Sequence, residues 1–133
     1  MMHESIVVVY DNCQAIADVI AYGLGAVTVS AQNISNRQIE NCQSLVLALE
    51  CQKGGQLNPH WQYVSNMLGR QRLDKKRVAI LVASGNRQDN ASCVDALQTK
   101  LKENGARIVG DLLYTANPHD NLLNWVSAIS PSL

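Results

Sequence analysis

The chain has no phenylalanine, and aromatic residues make up only 5% of its 133 positions. A core drawn from such material is aliphatic, packed from Val, Ile, Leu and Ala. Net charge is also missing, because 11 basic and 11 acidic residues cancel. That balance removes any general pull toward nucleic acid or anionic lipid, and it leaves no strongly acidic surface to steer a basic redox partner. The longest basic run, Lys75, Lys76 and Arg77, directly precedes an apolar stretch and reads as the solvated entrance to a strand.

No apolar stretch approaches the roughly 18 residues of a membrane span. Met1 to Tyr10 holds an early acidic residue and only a short apolar run, so no signal peptide is expected. The four cysteines, Cys13, Cys42, Cys51 and Cys93, form no C-x-x-C pair and no zinc-finger spacing. Reduced thiols in a cytoplasmic protein are the expectation. No linker, repeat or low-complexity segment interrupts the chain, which predicts a single domain over 1–133. What is present is ordinary globular material, 47% hydrophobic and 17% charged.

The apolar residues fall into short runs separated by helical patterns. SIVVVY (5–10) is a β-branched run, followed by Asp11 and Asn12 as helix caps and then Ile16, Ile20 and Leu24 on one helix face. Gly25 is placed to end that helix. AVTVS (26–30) and SLVLAL (44–49) are the second and third strands, with a short helix from Asn36 between them. Glu50 to Asn58 reads as a loop, and Pro59 opens a helix reaching to about Leu73. RVAILVA (77–83) is the fourth strand, Ser84 to Asn90 a polar loop, and Val94, Leu97 and Leu101 mark a helix ended by Gly105. RIVGDLLY (107–114) is the fifth strand, and Pro118 opens a last helix with Leu122, Trp125, Val126 and Ile129.

Strand and helix alternate five times, and the strands are apolar on both faces. That pattern predicts a parallel sheet covered by helices on both sides, with right-handed crossovers and strand order 2-1-3-4-5. Ligands of such sheets bind beyond the carboxyl ends of the strands. The segments that matter most are therefore 11–14, 50–59 and 84–90.

On these residues the chain resembles the flavodoxin-like family over nearly its whole length. IVVVY with the following IADVIAYGLG is similar to the family's first βα unit. KKRVAILVASGN, a helix and KENGARIVG resemble its fourth and fifth strands. KGGQLNP resembles the Gly-Gly-x-Leu-x-Pro part of the loop after its third strand, and it is also similar to the flavodoxin domain of the diiron flavoproteins. The resemblance implies a three-layer α/β/α sandwich, bound FMN, one-electron transfer and a redox protein partner. The residues placed to meet the cofactor are Asp11, Asn12, Cys13 and Gln14 in the first loop, Cys51, Gly54 and Gly55 in the second, and Ser84, Gly85 and Asn86 in the third. The family's first loop has the form Thr/Ser-x-Thr-Gly-x-Thr, whose hydroxyls and backbone N–H groups cradle the phosphate. Here that loop is shorter and has no Ser, Thr or Gly, Asp11 brings a negative charge, and no aromatic residue stands at the ring-stacking positions. These departures predict a degenerate phosphate loop and a reduced or remodelled flavin site, binding FMN weakly or not at all. Trp61 and Tyr63, just past Pro59, are expected to anchor their helix to the sheet.

Two other readings stay open. One is a non-catalytic binding or scaffold module that kept the fold and lost the cofactor. The other is a thiol or metal site from Cys13, Cys51 and Cys93, which all follow strands at the ligand edge, with His60 as a further ligand. A Cys-x5-Arg phosphatase is excluded because Val19 stands at the arginine position, and a phosphoacceptor receiver domain is excluded because Glu50 and Thr115 replace its Asp and Lys. No Ser-His-Asp or paired-carboxylate arrangement is visible, so an electron-transfer or binding protein is expected rather than a catalyst.

Overall fold

The computed structural model describes residues 6–52, 56–83, 87–110, 112–115 and 121–133, with side chains placed for all of these except 51, 52, 56 and 87–92. The strands are β1 (Ile6–Tyr10), β2 (Val27–Ser30), β3 (Ser44–Leu49), β4 (Cys51–Gln52), β5 (Gln56–Leu57), β6 (Arg77–Val82), β7 (Arg107–Ile108) and β8 (Leu113–Tyr114). The helices are α1 (Gln14–Leu24), α2 (Asn36–Asn41), α3 (Pro59–Gly69), α4 (Arg87–Glu103) and α5 (Leu122–Ile129).

Every pairing in the main sheet is parallel, in the order β2-β1-β3-β6-β7 with β8 also beside β6. Successive side chains of a strand point to opposite faces, so a strand covered on both sides must be apolar throughout. β3 is buried at all six positions, and five of them are apolar, Ser44 being the exception. Val7 and Val9 of β1, Leu45, Leu47 and Leu49 of β3, and Val78, Ile80 and Val82 of β6 pack with residues of α2, α3 and α4. Val8, Val46, Ala48, Ala79 and Leu81 face the other way, onto α1 and α5. Each fully buried Val, Leu or Ile on these faces contributes roughly 1.5–3 kcal/mol.

The helices are cut to the same plan. Ile16, Ala17, Ile20 and Ala21 form the buried stripe of α1, and Gly25 ends it in the left-handed conformation. Ser35 and Gln38 close a reciprocal capping box on α2. Asn58 caps α3 by accepting from the Trp61 N–H, and Pro59 occupies the first turn. Trp61 is fully buried and does anchor α3, whereas Tyr63 is 48% exposed and lies outward. Among the described residues, no helix is long and apolar enough to cross a membrane.

Several boundaries differ from the sequence pattern. The span after β3 is not plain loop: β4 and β5 pair as a short antiparallel ribbon. α3 ends at Gly69 and α4 begins at Arg87, inside the stretch expected as loop. α5 begins at Leu122, with Asn121 at φ 58° before it; Pro118 lies outside the described residues. The fifth strand is interrupted. Ile108 pairs with Val78 and Leu113 with Leu81, so five steps along the last strand match three along β6. The surplus is taken up around Gly110, at φ 72°, where a Cβ would stand 2.5 Å from the Ile129 Cγ2 of the 3₁₀ turn's entry. The two half-strands are therefore one sheet position broken by a bulge, which reconciles the expected five strands with the observed six.

This geometry separates two glycines. Gly25→Ala meets no atom within 4 Å and pays only for its left-handed backbone, about 1–2 kcal/mol. Gly110→Ala adds overpacking against Ile129, a further ~1–3 kcal/mol. Chemical denaturation should rank Gly110→Ala as clearly the less stable of the two; equal losses would contradict the bulge as described.

Candidate functional site

Because β1 and β3 run parallel and in register from Ile6 opposite Ser44 to Val9 opposite Leu47, the residues that follow them emerge side by side. The first loop (11–13) and the chain from Glu50 onward meet at that rim. Asp11 and Asn12 were expected to cap α1, yet neither does. The N-cap position is Cys13, and it makes no side-chain capping bond.

Glu50 reaches the turn just ahead of the helix. One carboxylate oxygen, Oε2, accepts from the backbone N–H of Asn12 at 2.6 Å and from that of Cys13 at 3.3 Å. The N-terminal end of a helix presents N–H groups and the positive end of the helix dipole, so a carboxylate is a favourable occupant. Glu50 is the first residue beyond β3, whose inward positions are entirely apolar. Its side chain reaches the entry of α1 only because β3 is the neighbour of β1.

A second carboxylate ties the same loops in the opposite direction. Asp11 Oδ2 accepts from Asn58 Nδ2 at 3.0 Å, and Asp11 Oδ1 lies 2.8 Å from His60 Nδ1. The Asp11 side chain is only 7% exposed, and that of His60 is 46% exposed. Asn58 in turn spends its Oδ1 on the Trp61 N–H at the start of α3. Asp11 thus faces the start of α3, and its charge is met there by an amide and an imidazole. His60, the further ligand in the alternative metal reading, is the partner of Asp11. Among the described residues no group of three His, Cys, Asp or Glu side chains could hold a metal ion.

Cys13 lies half-buried at the centre of this arrangement, its Sγ donating to the Ala48 carbonyl at 3.9 Å. Burial pushes its thiol up from 9.0 to about 12, and the charge and hydrogen bond of Glu50 push the same way; backbone hydrogen bonds of Asp11 and Cys13 itself pull more weakly down. Cys13 is therefore a protonated thiol rather than a nucleophilic thiolate. Against the expectation of reduced thiols, Cys93 is disulfide-bonded, whereas Cys13 and Cys42 are free. Cys42 is buried, which raises its thiol too. The metal form of the alternative built on Cys13, Cys51 and Cys93 is thus not available, since Cys93 is already committed to a disulfide. Cys51 lies in β4, and its side chain is outside the described residues. Gly54, Gly55, Ser84, Gly85 and Asn86 also lie outside them.

Of the expected site residues, the structure brings Asp11, Asn12 and Cys13 together at the rim, with Gln14 as the first residue of α1. Sequence reasoning missed Glu50, Asn58 and His60 as their partners. The available signal was a lone charged residue directly after a wholly apolar strand. A shallow hollow of about 380 Å³ lies elsewhere, on the flank between α2 and α3, lined by residues that include Asn36, Glu40, Tyr63 and Arg70.

The residues at the start of α1 do not fit a phosphate as they stand. The backbone donors of Asn12 and Cys13 already serve a carboxylate, and no hydroxyl side chain stands in the first loop to replace them.

The Cys13 environment has a pH signature. Its folded-state value lies above the unfolded one, so its contribution to stability is complete below pH 9 and is lost as pH rises toward about 12. Chemical denaturation followed upward from neutral pH should show an alkaline loss that is shallower in Cys13→Ala. An identical alkaline limb in the two proteins would contradict this placement of the thiol.

No family model matches the chain, and no curated protein matches it. Solved structures do. Oxidised flavodoxin 2 from Bacillus cereus superposes with a TM-score of 0.83 at 20% identity, covering 97% of this chain and 99% of that one. Oxidised flavodoxin 1 from the same organism gives 0.81 at 19%, covering 96% and 98%. The flavodoxin of Fusobacterium nucleatum bound to flavin mononucleotide gives 0.78 at 17%, covering 96% and 98%. With a parallel sheet of order 2-1-3-4-5 and helices on both faces, this chain has the flavodoxin-like fold.

Proposed function

We propose that the chain is a flavodoxin-related domain, single over 1–133, that serves electron transfer through a flavin held at the rim beyond β1, β3 and β6. The observation that supports this reading most is the match in fold along 96% of the chain to a flavodoxin with FMN bound. In flavoproteins of this kind the flavin supplies the redox chemistry, and the protein binds it, orients it and tunes its surroundings. On this reading the three rim segments frame the ring: Asp11, Asn12, Cys13 and Gln14 from the first, Cys51, Gly54 and Gly55 from the second, Ser84, Gly85 and Asn86 from the third. The partner would be another redox protein. A charge-neutral chain would meet it without strong electrostatic steering. A cytoplasmic setting is part of the same proposal.

The phosphate end is where this domain departs from a standard FMN carrier, so FMN is expected to bind weakly. One observation favours a second reading, a scaffold that has lost its cofactor: the two rim carboxylates satisfy each other's loops without any ligand.

Colour and titration decide between the two. The purified full chain should bind flavin, seen as yellow colour or as quenching of added FMN or riboflavin fluorescence. A colourless protein that leaves the fluorescence of both compounds unchanged would sink the electron-transfer reading and leave the scaffold.

A further inference from the structure

We propose that Glu50 is a built-in substitute for a phosphate group, and that it makes the rim selective for an uncharged flavin over its phosphorylated form. The inference rests on the flavin reading of the rim for its ligand, and on the hydrogen bonds of Glu50 for its mechanism.

The geometry is specific. A single oxygen of Glu50 gathers the N–H groups of Asn12 and Cys13, the residues that lead into α1, and so sets a negative charge beside the place where a helix-terminal anion would sit. These are charge-assisted bonds to backbone donors, the strong class of hydrogen bond. They also cost little flexibility, since Glu50 directly follows the rigid, fully buried β3. A phosphate arriving here must displace Glu50 and would then stand beside the carboxylate it displaced. Asp11 adds a second acidic group on the same loop. His60 and Asn58 face that group, so these two side chains are engaged with Asp11 rather than turned to the entry of α1. The first rim segment, 11–14, has no Lys or Arg, and the other two carry one each, Lys53 and Arg87.

A neutral ligand does not meet this obstacle. Riboflavin has the same isoalloxazine ring as FMN, and a hydroxyl replaces its phosphate. A hydroxyl can donate to a carboxylate, whereas a phosphate dianion is repelled by it. Glu50 would thus convert a phosphate-accepting loop into one that accepts an alcohol. The same residue keeps the rim closed to free inorganic phosphate. The role assigned to Glu50 is one of specificity, exerted by charge at a fixed position.

The test uses the full chain, with Glu50→Gln and Glu50→Ala as variants and circular dichroism as the check of fold. Glu50→Gln keeps size and an acceptor oxygen while removing the charge, so it serves even where Glu50→Ala unfolds. Riboflavin and FMN are titrated separately against each protein by fluorescence quenching. The wild type should bind riboflavin at least as tightly as FMN. Glu50→Gln should improve FMN binding on the order of tenfold relative to riboflavin, the size expected when one charge-assisted contact changes sign. A wild type that prefers FMN tenfold, or a variant with an unchanged FMN-to-riboflavin ratio, overturns the proposal.

A second arm does not depend on flavin. Thermal unfolding is followed in sodium phosphate and in sodium chloride of equal ionic strength. Phosphate, which stabilises folded proteins generally by exclusion from their surface, should raise the midpoint of Glu50→Ala clearly more than it raises that of the wild type. If neither flavin binds any of the proteins, the electron-transfer reading falls and this arm alone decides. A phosphate response that is equal in wild type and variant then overturns the role of Glu50 as well.

Discussion

Everything at the rim depends on β1 and β3 lying parallel and in register with each other. The alignment places Val9 opposite Leu47, so the turns that follow leave the sheet at neighbouring points and at nearly the same height. It is enforced by burial on both faces: a slip of one residue would turn every side chain of β3 toward the other layer. β3 is flanked by β1 and β6 and is inaccessible along its length, which makes it the fixed reference for the loops on either side. Glu50 inherits that rigidity because it is the first residue past the strand.

The rim is stabilised by a crossed pair of carboxylates. Glu50, from the end of β3, accepts from the backbone of the first loop. Asp11, from the first loop, accepts from Asn58 and approaches His60 at the start of α3. Each carboxylate satisfies donors on the segment contributed by the other. Two helix starts, those of α1 and α3, are therefore coupled through side chains rather than through a ligand. The price appears in Cys13, whose thiol is held protonated by its burial and by the nearby Glu50 charge. The Asn12 and Cys13 donors of this loop are thus engaged within the chain itself.

The alternation of apolar runs and amphipathic helices was enough to read the layers, the strand order and most boundaries, because burial on two faces leaves an unmistakable β-branched signature. The pattern failed where the backbone rather than composition decided. RIVGDLLY looks continuous, yet Gly110 in the left-handed region lets the strand bulge and lets Ile129 approach it closely. The stretch after Glu50 looks like a polar loop, yet β4 and β5 pair across it. Such features rest on a few dihedral angles and local pairings that hydropathy does not encode. Trp61 was legible as an anchor, whereas Tyr63, two residues further along the same helix, turns outward because it lies about 200° around the axis.

By itself the sequence determined the fold class and the aliphatic core, since these follow from periodicity and from which residues can be buried. It also determined that the first loop lacks the hydroxyls and glycine of a phosphate cradle. Only the tertiary structure decided what stands there instead. Glu50 lies 37 and 38 positions from its backbone partners, and Asp11 lies 47 and 49 from its own. Contacts across such separations are set by strand order and register, so a carboxylate that reads as an ordinary strand end in one dimension comes to stand beside a helix terminus in three.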